Sequence, residues 1–283
     1  MSRKFVYYGA GRSADEFINP YIDWSLRNNT QNYNGAYIRV RRVDDNQEKD
    51  INGVNNELDL SDVISFANGS DLRVVIIYNK GVGGSQFDLI MPVAGFQPYI
   101  FKSNDFIMVN GKPSIDFLGG DLTIRTEPYA QSLLDKDVIV SNVFESQQDV
   151  SIQGVFEEYL QSNAENRIAI YSDTRSFNFR FCNFRPTAPD NTLSFSVQQP
   201  ISTQRQFTYM YNNENISGFA EGVSVDSVND NSIFTVGDKI MRLGRQSSPS
   251  FIFEGKWQET IIDLDLSKKS LIETNINDYY GIY

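Results

Sequence analysis

The sequence of 283 residues contains no histidine and a single cysteine, Cys182. Without histidine, the chain cannot form a Ser-His-Asp triad, a Cys-His dyad or most zinc sites. One cysteine excludes an intramolecular disulfide. Cys182 lies in the strand-like run "FNFRFCNF", which predicts a small buried hydrophobic residue rather than a nucleophile. Any catalysis would therefore depend on carboxylates, lysine, tyrosine or an oxygen-ligated metal ion.

The sequence also lacks long apolar runs and an excess of positive charge. No run approaches the roughly 18 apolar residues of a membrane span, and the apolar run near the N terminus, residues 5–8, is too short for a secretion signal. Lys and Arg number 25 against 36 Asp and Glu, a net charge of −11. This balance argues against nucleic acid and anionic membranes as partners. We therefore expect a protein made in a cytoplasm, without membrane insertion.

Aromatic residues, by contrast, are abundant. The 20 Phe and 15 Tyr favour pleated sheets. From residue 90 onward, strand-like segments such as "NRIAIYSD", "RQFTYMYNN" and "ETIIDLDL" recur about every ten residues, and Asn110-Gly111 is a strong hairpin signal. This spacing predicts an all-β sandwich or jelly roll. Because no low-complexity linker interrupts the chain, we expect one domain over residues 1–283, with residues 1–30 packing on it or extending from it.

Three segments have apolar residues at helical spacing. Residues 14–27, "ADEFINPYIDWSLR", predict at most a broken helix because of Pro20. "LDLSDVISFANG" predicts a short helix that Asp59 or Ser61 caps and Gly69 ends, with the apolar stripe Leu60, Val63, Ile64 and Ala67. "LSKKSLIETNINDYYGIY" predicts a terminal helix that starts near Ser267 or Ser270, with Ile272, Ile276, Tyr279 and Tyr280 on one side.

The segment "YNGAYIRVRRVDDNQEKDING" concentrates three arginines next to a group of acids. Arg39, Arg41, Arg42 and Lys49 are matched by Asp44, Asp45, Glu48 and Asp50. A phosphate site would need the arginines unpaired, so the local neutrality favours a charge-paired hairpin. A four-residue loop would place Asp50 opposite Arg41, and a three-residue loop would place Glu48 opposite Arg42.

The same hairpin takes part in a resemblance to a known family. "SLRNNTQNYNGAYIRVRRVDDNQEKDI", followed by "LDLSDVISF", "VVIIYNKG", "QPYI" and "NGKPSIDFLGG", resembles the opening of the catalytic domain of the arabinofuranosidase B family over about residues 24–120. The same opening is similar to concanavalin A-like proteins of bacteriophages, and the last third is similar to concanavalin A-like and laminin-G-like domains. The resemblance implies a concanavalin A-like jelly roll of two antiparallel sheets.

The resemblance supports the family's fold better than it supports the family's enzymatic activity. Where the family has W-Y-D-Q-S-G-N-G, this chain has "IYNKGVGG", with Asn79 and Lys80 in place of Asp and Gln. No nucleophile or acid/base position of the family matches in the second half. The Gly-rich "GVGG" also lacks the spacing of a phosphate-binding loop and predicts a plain loop. We therefore carry over no catalytic residue, and we expect that the chain is not an enzyme.

Two further groups of residues are candidate sites. On "WQETIIDLDL" a period of two places Trp257, Glu259, Ile261, Asp263 and Asp265 on one face, which would suit sugar stacking and a carboxylate pair. The alternative is an ordinary solvated strand face. In "GVSVDSVNDNSI", Asp226, Asp230 and Asn231 suggest calcium, although the segment lacks the spacing of a known loop. We expect no cofactor, with calcium as the alternative.

Three functions remain open: a structural virion protein of a bacteriophage (fibre, tail or capsid-decorating), a carbohydrate-binding surface module, and an arabinofuranosidase-like hydrolase. The chain has an exported type of fold without an export signal, which favours the virion protein, released by lysis. Its expected partners are other virion proteins, a host-surface glycan and further copies of itself. The candidate contact residues are Trp257, Glu259, Asp263, Tyr209, Tyr211 and Tyr283.

Overall fold

The computed structural model describes residues 17–117, 122–130, 137–146, 153–160, 163–173, 178–184, 191–196, 202–212, 215–229, 238–244 and 253–283. The first strands are β1 Ile22–Ser25, β2 Ala36–Arg42, β3 Glu48–Val54, β4 Glu57–Leu58, β5 Leu72–Ile77, β6 Leu89–Ile90, β7 Tyr99–Lys102, β8 Asp105–Phe106, β9 Met108–Val109, β10 Lys112–Pro113, β11 Ile115–Asp116 and β12 Ile124–Arg125.

Longer strands follow: β13 Val138–Ser146, β14 Gln153–Leu160, β15 Asn163–Asp173, β16 Asn178–Phe184, β17 Asn191–Ser196, β18 Gln204–Asn212, β19 Asn215–Ala220, β20 Val223–Asn229, β21 Lys239–Leu243 and β22 Gly255–Asp263. The helices are α1 Leu60–Ala67 and α2 Lys269–Tyr280. No helix in the described ranges is both long and apolar enough to cross a membrane.

Strand β5 is the point where two antiparallel sheets diverge. Its first residues pair with β7, and the first sheet continues through β11 to β22, β13, β18, β19 and β20, with β1 also paired to β22. Its last residues pair with β6, and the second sheet continues through β12, β21, β14, β15, β16 and β17. The hairpin β2–β3 lies against the other edge of β5.

Aromatic side chains fill the space between the two sheets. Trp24 of β1 contacts Phe156 of β14 with ring centroids 6.4 Å apart, and Phe144 of β13 stacks on Phe207 at 5.5 Å. Trp24 is completely buried, and burying such a side chain is among the largest contributions that a core residue makes. The predicted sandwich of two antiparallel sheets is confirmed.

Helix α2 covers the outer face of the first sheet. Its Ile272 and Ile276 pack on Ile139, Val143 and Ile261 in a second apolar cluster. A short 3₁₀ turn, Leu266–Lys268, precedes the helix, and Asp265 caps this turn by accepting the Ser267 amide. The predicted terminal helix is thus confirmed, but neither Ser267 nor Ser270 caps it, and the aspartate caps only the preceding turn.

The predicted helix α1 and Asn-Gly hairpin are also confirmed. Asp59 accepts the amides of the first turn of α1 as predicted, but Asn68 rather than Gly69 ends the helix in the left-handed conformation. Ile64 of the predicted stripe is 51% exposed, because α1 rests on the sandwich along a narrower line. Asn110 and Gly111 have φ values of 48° and 74° and connect β9 to β10, as a type I′ turn requires.

The prediction of a broken helix over residues 14–27 is wrong in the part that the structure describes. Residues 22–25 form β1, which pairs with β22 from Ile22–Ile262 to Ser25–Glu259. Ile22 and Trp24 face the core while Asp23 and Ser25 face the layer under α2. Pairing with the free edge of β22 stabilises the strand more than the weak helical spacing stabilises a helix, since tertiary contacts commonly override local propensity.

Candidate functional site

Five of the six candidate contact residues lie in the interior. Trp257, Glu259, Asp263, Tyr209 and Tyr211 are at most 7% exposed. Side chains at these positions do not reach a partner at the surface, so in this structure they pack the fold. Tyr283 differs, since it is 52% exposed at the end of the tail that follows α2, and its role in contact stays a prediction.

A β-bulge explains why the predicted polar face of β22 does not form. The pairing of β22 with β13 shifts between Val143 and Phe144, so Trp257 and Glu259 point to opposite sides of the sheet. Trp257 joins the main core, and its indole donates to Thr260 Oγ1 at 3.0 Å. Asp263 accepts a hydrogen bond from Lys268 Nζ at 2.9 Å. The interpretation of these residues as an exposed sugar platform with a carboxylate pair is therefore wrong.

Glu259 instead belongs to a buried ion pair. Arg27 donates through Nε and Nη2 to its two carboxylate oxygens at 2.8 and 2.9 Å, and both side chains are at most 1% exposed. The rings of Tyr279 and Tyr280 lie 4.4 and 5.4 Å from the guanidinium. Burial acts to lower the pKa of Arg27, but the charge and hydrogen bonds of Glu259 raise it overall. The pair fixes α2 on the sheet.

A second buried ion pair holds the glycine-rich loop. Lys80 Nζ lies 3.6 Å from Asp23 Oδ1 and donates to the Ser25 carbonyl at 2.7 Å. Burial lowers the pKa of Lys80. Asn79 Oδ1 accepts the Asp23 amide at 2.9 Å. The Asn79 and Lys80 that depart from the hydrolase pattern are thus anchors, which fix the chain that follows β5.

The arginine-rich hairpin is charge-paired, in a different register from either prediction. Five residues separate β2 from β3, which places Asp50 opposite Arg39 and Glu48 opposite Arg41. Arg39 binds Asp50 through two hydrogen bonds of 2.7 and 2.9 Å, and Arg42 pairs with Asp45 within the turn. Arg41 is buried and donates to Gln97 and Asn46. Its partners are amides, so the hairpin holds no free arginine cluster for phosphate.

The outer face of this hairpin carries a group of polar and aromatic side chains. Tyr78 donates its hydroxyl to Asp50 Oδ1 at 2.7 Å, and Arg39 and Asp50 are 37% and 43% exposed. The Arg39 hydrogen bonds lower the pKa of Asp50. Burial, together with the Asp50 hydrogen bond, raises the pKa of Tyr78. This carboxylate is therefore ionised and fixed in position.

Asp88 provides a second carboxyl with the opposite behaviour. It follows the glycine-rich loop, is half-buried, and accepts the Asn79 amide at 2.7 Å. Burial raises the pKa of Asp88 to about 6, although the Asn79 amide and the Lys80 charge oppose this change. Its charge contributes to raising the pKa of both Tyr78 and Tyr33. Opposed carboxyl environments of this kind are typical of functional sites.

Tyr33 packs against the edge of the main core and is held rigidly. Its hydroxyl donates to the Ala36 carbonyl at 2.7 Å, and its ring lies 6.1 Å from that of Tyr37. Gly35 leaves room for Tyr33, since a Cβ there would lie 2.7 Å from the hydroxyl oxygen. Burial raises the pKa of Tyr33 to about 12. We name the hydrogen-bonded, partly exposed set Arg39, Asp50 and Tyr78 the tyrosine patch.

The sequence did not predict the patch. It placed Arg39 and Asp50 in a charge-paired hairpin, but not opposite each other, and it gave no sign that Tyr78 would reach them. Tyr78 reaches Asp50 because β2 pairs with β3 on one side and with β5 on the other.

Metal ligation is absent from the part of the chain that the structure describes, where no group of three suitable side chains forms a candidate centre. Of the proposed calcium ligands, Asp226 is exposed and accepts the Ser227 amide. Asp230 and Asn231 lie outside the described residues, as does the side chain of Cys182. The calcium alternative and the buried role of Cys182 stay predictions.

Comparison with solved structures relates the whole sandwich to arabinofuranosidases. An arabinofuranosidase complexed with arabinofuranosyl-α-1,2-xylobiose superposes with a TM-score of 0.68 at 14% identity. A family GH54 α-L-arabinofuranosidase soaked with a cyclic sulfate inhibitor gives 0.66 at 14%, and a Glu-to-Gln mutant of such an enzyme, soaked with 4-nitrophenyl α-L-arabinofuranoside, gives 0.65 at 13%. Each match covers 93% of this chain and 63% of the other.

At this identity the likeness shows the fold. No protein-family model matches the chain, and no curated protein sequence matches it. The expectation that the chain is not an enzyme is nevertheless wrong as an inference, because structures that match nearly its full length are those of arabinofuranosidases. The departures at Asn79 and Lys80, on which that expectation rested, are explained by the buried anchors of the loop.

Proposed function

We propose that this protein is a glycoside hydrolase that acts on glycans bearing arabinofuranosyl groups. The observation that carries the proposal is the TM-score of 0.68 with an arabinofuranosidase over 93% of the chain. One fold can host several functions, so the reaction needs a direct test. The chain spans 63% of the length of the matched enzyme, and the proposal concerns the part that corresponds to the sandwich.

The composition suits this chemistry. Most glycoside hydrolases use two carboxyl groups, one as proton donor and one ionised, and neither step requires the imidazole that this chain lacks. The described residues include a half-buried carboxyl whose pKa is raised, Asp88, and a carboxyl whose pKa is lowered, Asp50. The fold and the available groups therefore agree with hydrolysis at a furanosyl bond.

The test is release of 4-nitrophenol from 4-nitrophenyl α-L-arabinofuranoside by the purified full chain. The matched control substrate is 4-nitrophenyl β-D-xylopyranoside, which carries the same leaving group on a different sugar. We expect turnover of the arabinofuranoside that is abolished by heating the protein. Turnover of neither substrate, together with no release of arabinose from arabinoxylan, would refute hydrolysis.

A carbohydrate-binding module is the second candidate, and the tyrosine patch favours it. A partly exposed tyrosine ring that is hydrogen-bonded to an exposed ion pair is a suitable contact for a sugar. Retention on immobilised arabinoxylan without any turnover would support binding alone. Turnover would assign the patch to an enzyme.

A place in a bacteriophage particle is a separate proposal, which rests on the sequence resemblance. Its partners would be other virion proteins and further copies of the chain. A glycan-active sandwich is compatible with such a place, since particles meet glycans at host surfaces. Mass spectrometry of purified particles from a phage that encodes the chain tests it, and absence of the protein from the particles would refute it.

A further inference from the structure

We propose that Arg73, Tyr99 and Lys102 form a surface site that binds the carboxylate of an acidic sugar residue within a glycan. We name these three residues the arginine–tyrosine site. Arg73 of β5 lies opposite Tyr99 of β7 in the first sheet, and Lys102 ends β7. The carboxylate as ligand follows from the contacts of these side chains, while a glycan as its source rests on the proposed function.

The aromatic ring of Tyr99 holds the two cations together. Arg73 Cζ lies 4.1 Å and Lys102 Nζ lies 4.8 Å from the centre of this ring, and Arg73 Nη2 donates to the Tyr99 hydroxyl. Arg73 Nη1 donates to three backbone carbonyls of residues 94–97, at 2.9 to 3.3 Å. Arg73 and Tyr99 are partly exposed, and Lys102 is exposed. The guanidinium is therefore fixed in position before a ligand arrives and still reaches the solvent.

One edge of the Arg73 guanidinium has hydrogen-bonding capacity left. Within the described residues, its Nε has no acceptor and the side chain forms no ion pair. In Arg27, Arg39 and Arg42, the edge formed by Nε and Nη2 binds both oxygens of a carboxylate. Nη2 of Arg73 uses one of its two protons on Tyr99, so the same edge of Arg73 can donate to a carboxylate in this way.

A second arginine adds positive charge behind this edge. Arg41 of β2 lies opposite Arg73, and both donate to the carbonyl of Ala94. The hydrogen-bond partners of the two arginines are neutral groups. Glu48 lies opposite Arg41 on β3, but it forms no ion pair with Arg41 among the residues that the structure describes. A carboxylate that binds Arg73 would therefore meet a guanidinium that has no ion-paired acid.

Acids around the site select an isolated carboxylate over a polyanion. Asp105 lies opposite Lys102 across the β7–β8 hairpin, and Asp71, which precedes β5, accepts the Ser103 amide at 2.7 Å. Together with Glu48, these acids balance the two arginines and Lys102, and the whole chain carries a net charge of −11. A polymer of uronic acids would be repelled by such a surface. We therefore expect a glycan in which single uronic acid residues are spaced along a neutral chain.

A purely structural role for Arg73 makes a different prediction. Its Nη1 would then only hold residues 94–97 in place, and substitutions would alter stability without changing the preference for acidic ligands. Lys102 separates the two roles, because its ammonium group is exposed and forms no hydrogen bond or ion pair within the described part of the chain. The matched control is Lys49, which carries the same charge and pairs with Asp62 of α1.

The experiment measures binding of two matched oligosaccharides to the full chain by isothermal titration calorimetry at neutral pH. One is a xylo-oligosaccharide with a single glucuronic acid branch, and the other is the same compound after reduction of its carboxyl group to an alcohol. We compare the wild type, Arg73→Lys, which keeps the charge but not the planar fork, Lys102→Gln and the control Lys49→Gln. We expect the wild type to bind the acidic compound about tenfold more tightly than the reduced one. Both site variants should lose most of this preference, and Lys49→Gln should keep it.

Each outcome decides the proposal. Equal affinity of the wild type for the two oligosaccharides overturns the site, as does binding of neither. An unchanged preference in folded Arg73→Lys and Lys102→Gln, or an equal loss of preference in Lys49→Gln, also overturns it. If thermal melts show that Arg73→Lys does not fold, Lys102→Gln decides alone, because its side chain has no hydrogen bond or ion pair to lose.

Two further ligands identify the source of the carboxylate. Tighter binding of a glutamate-rich peptide than of the acidic oligosaccharide would assign the site to an acidic protein partner, and tighter binding of polygalacturonate would contradict the isolated carboxylate. Either result overturns the proposal, and weaker binding of both ligands supports it. Hydrolysis of the aryl arabinofuranoside by the wild type is measured separately, so the site can fail while the proposed reaction stands.

Discussion

Replacing Arg27 by methionine tests whether the buried ion pair holds α2 on the sandwich. Methionine keeps much of the length of the side chain but removes the charge and both hydrogen bonds to Glu259. The carboxylate is fully buried and would keep Asn29 Nδ2, at 2.9 Å, as a donor. An uncompensated charge at such a site costs about 3–5 kcal/mol. We expect a loss of this size in the free energy of unfolding.

The surface pair Arg39–Asp50 is the matched control. It has the same two-bond geometry, but its side chains are 37% and 43% exposed. Exposed pairs contribute about 0–1 kcal/mol, so Arg39→Met should change stability by less than that. The double variant R27M/E259Q removes both charges and keeps an acceptor, so it should be more stable than R27M alone.

Urea unfolding followed by tryptophan fluorescence suits this comparison, since Trp24 and Trp257 are both buried in the main core. A loss below about 1 kcal/mol in R27M would refute the reasoning, because it would place the buried pair with surface pairs. A double variant less stable than R27M would also contradict it. Circular dichroism of each folded variant checks that α2 is retained.

Three further predictions concern other parts of the hairpin and its surroundings. Asp88→Asn should stabilise the protein above pH 6. The pKa of Asp88 in the folded protein exceeds its ordinary value, so the wild type loses stability as pH rises from about 4 to about 6, by about 1 kcal/mol after allowance for partial exposure. Equal melting temperatures of the two proteins across this pH range would contradict the prediction. Gly53→Ala should lower the free energy of unfolding by about 1–3 kcal/mol, because the added Cβ would clash with the ring of Tyr37. Gly95→Ala, where no atom lies within 4 Å of the added Cβ, should change it by less than about 0.5 kcal/mol. Thermal melts of the two variants test this difference. Arg41→Ala should lower stability by about 1–3 kcal/mol, since it leaves the buried side-chain amide of Gln97 without a hydrogen-bond donor. Arg42→Ala should lower stability by less, because its ion pair lies at the surface, and the reverse order in urea unfolding would contradict this.

Features that depend on neighbouring residues could be predicted from the sequence. The Asn110-Gly111 turn, the Asp59 cap of α1 and the terminal helix follow from local backbone preferences, and the regular spacing of strands indicated a sandwich. The charge balance of the hairpin also indicated that its arginines have partners. In these cases the physical cause lies within a few residues along the chain.

The hairpin register and the conformation of residues 22–25 depended on distant segments. The register followed from a five-residue connection, with Asn46 in a left-handed conformation, that local composition left open. Residues 22–25 became a strand because β22 offers an unpaired edge more than two hundred residues away. Neither cause is visible in a window of sequence.

The candidate site was decided by tertiary structure for the same reason. A bulge opposite Phe144 turned Trp257 into the core and left Glu259 to pair with Arg27. The patch exists because β2 pairs with both β3 and β5, which brings Tyr78 to the Arg39–Asp50 pair. Sequence determined which side chains were available, and long-range pairing determined which of them were buried and which met at the surface.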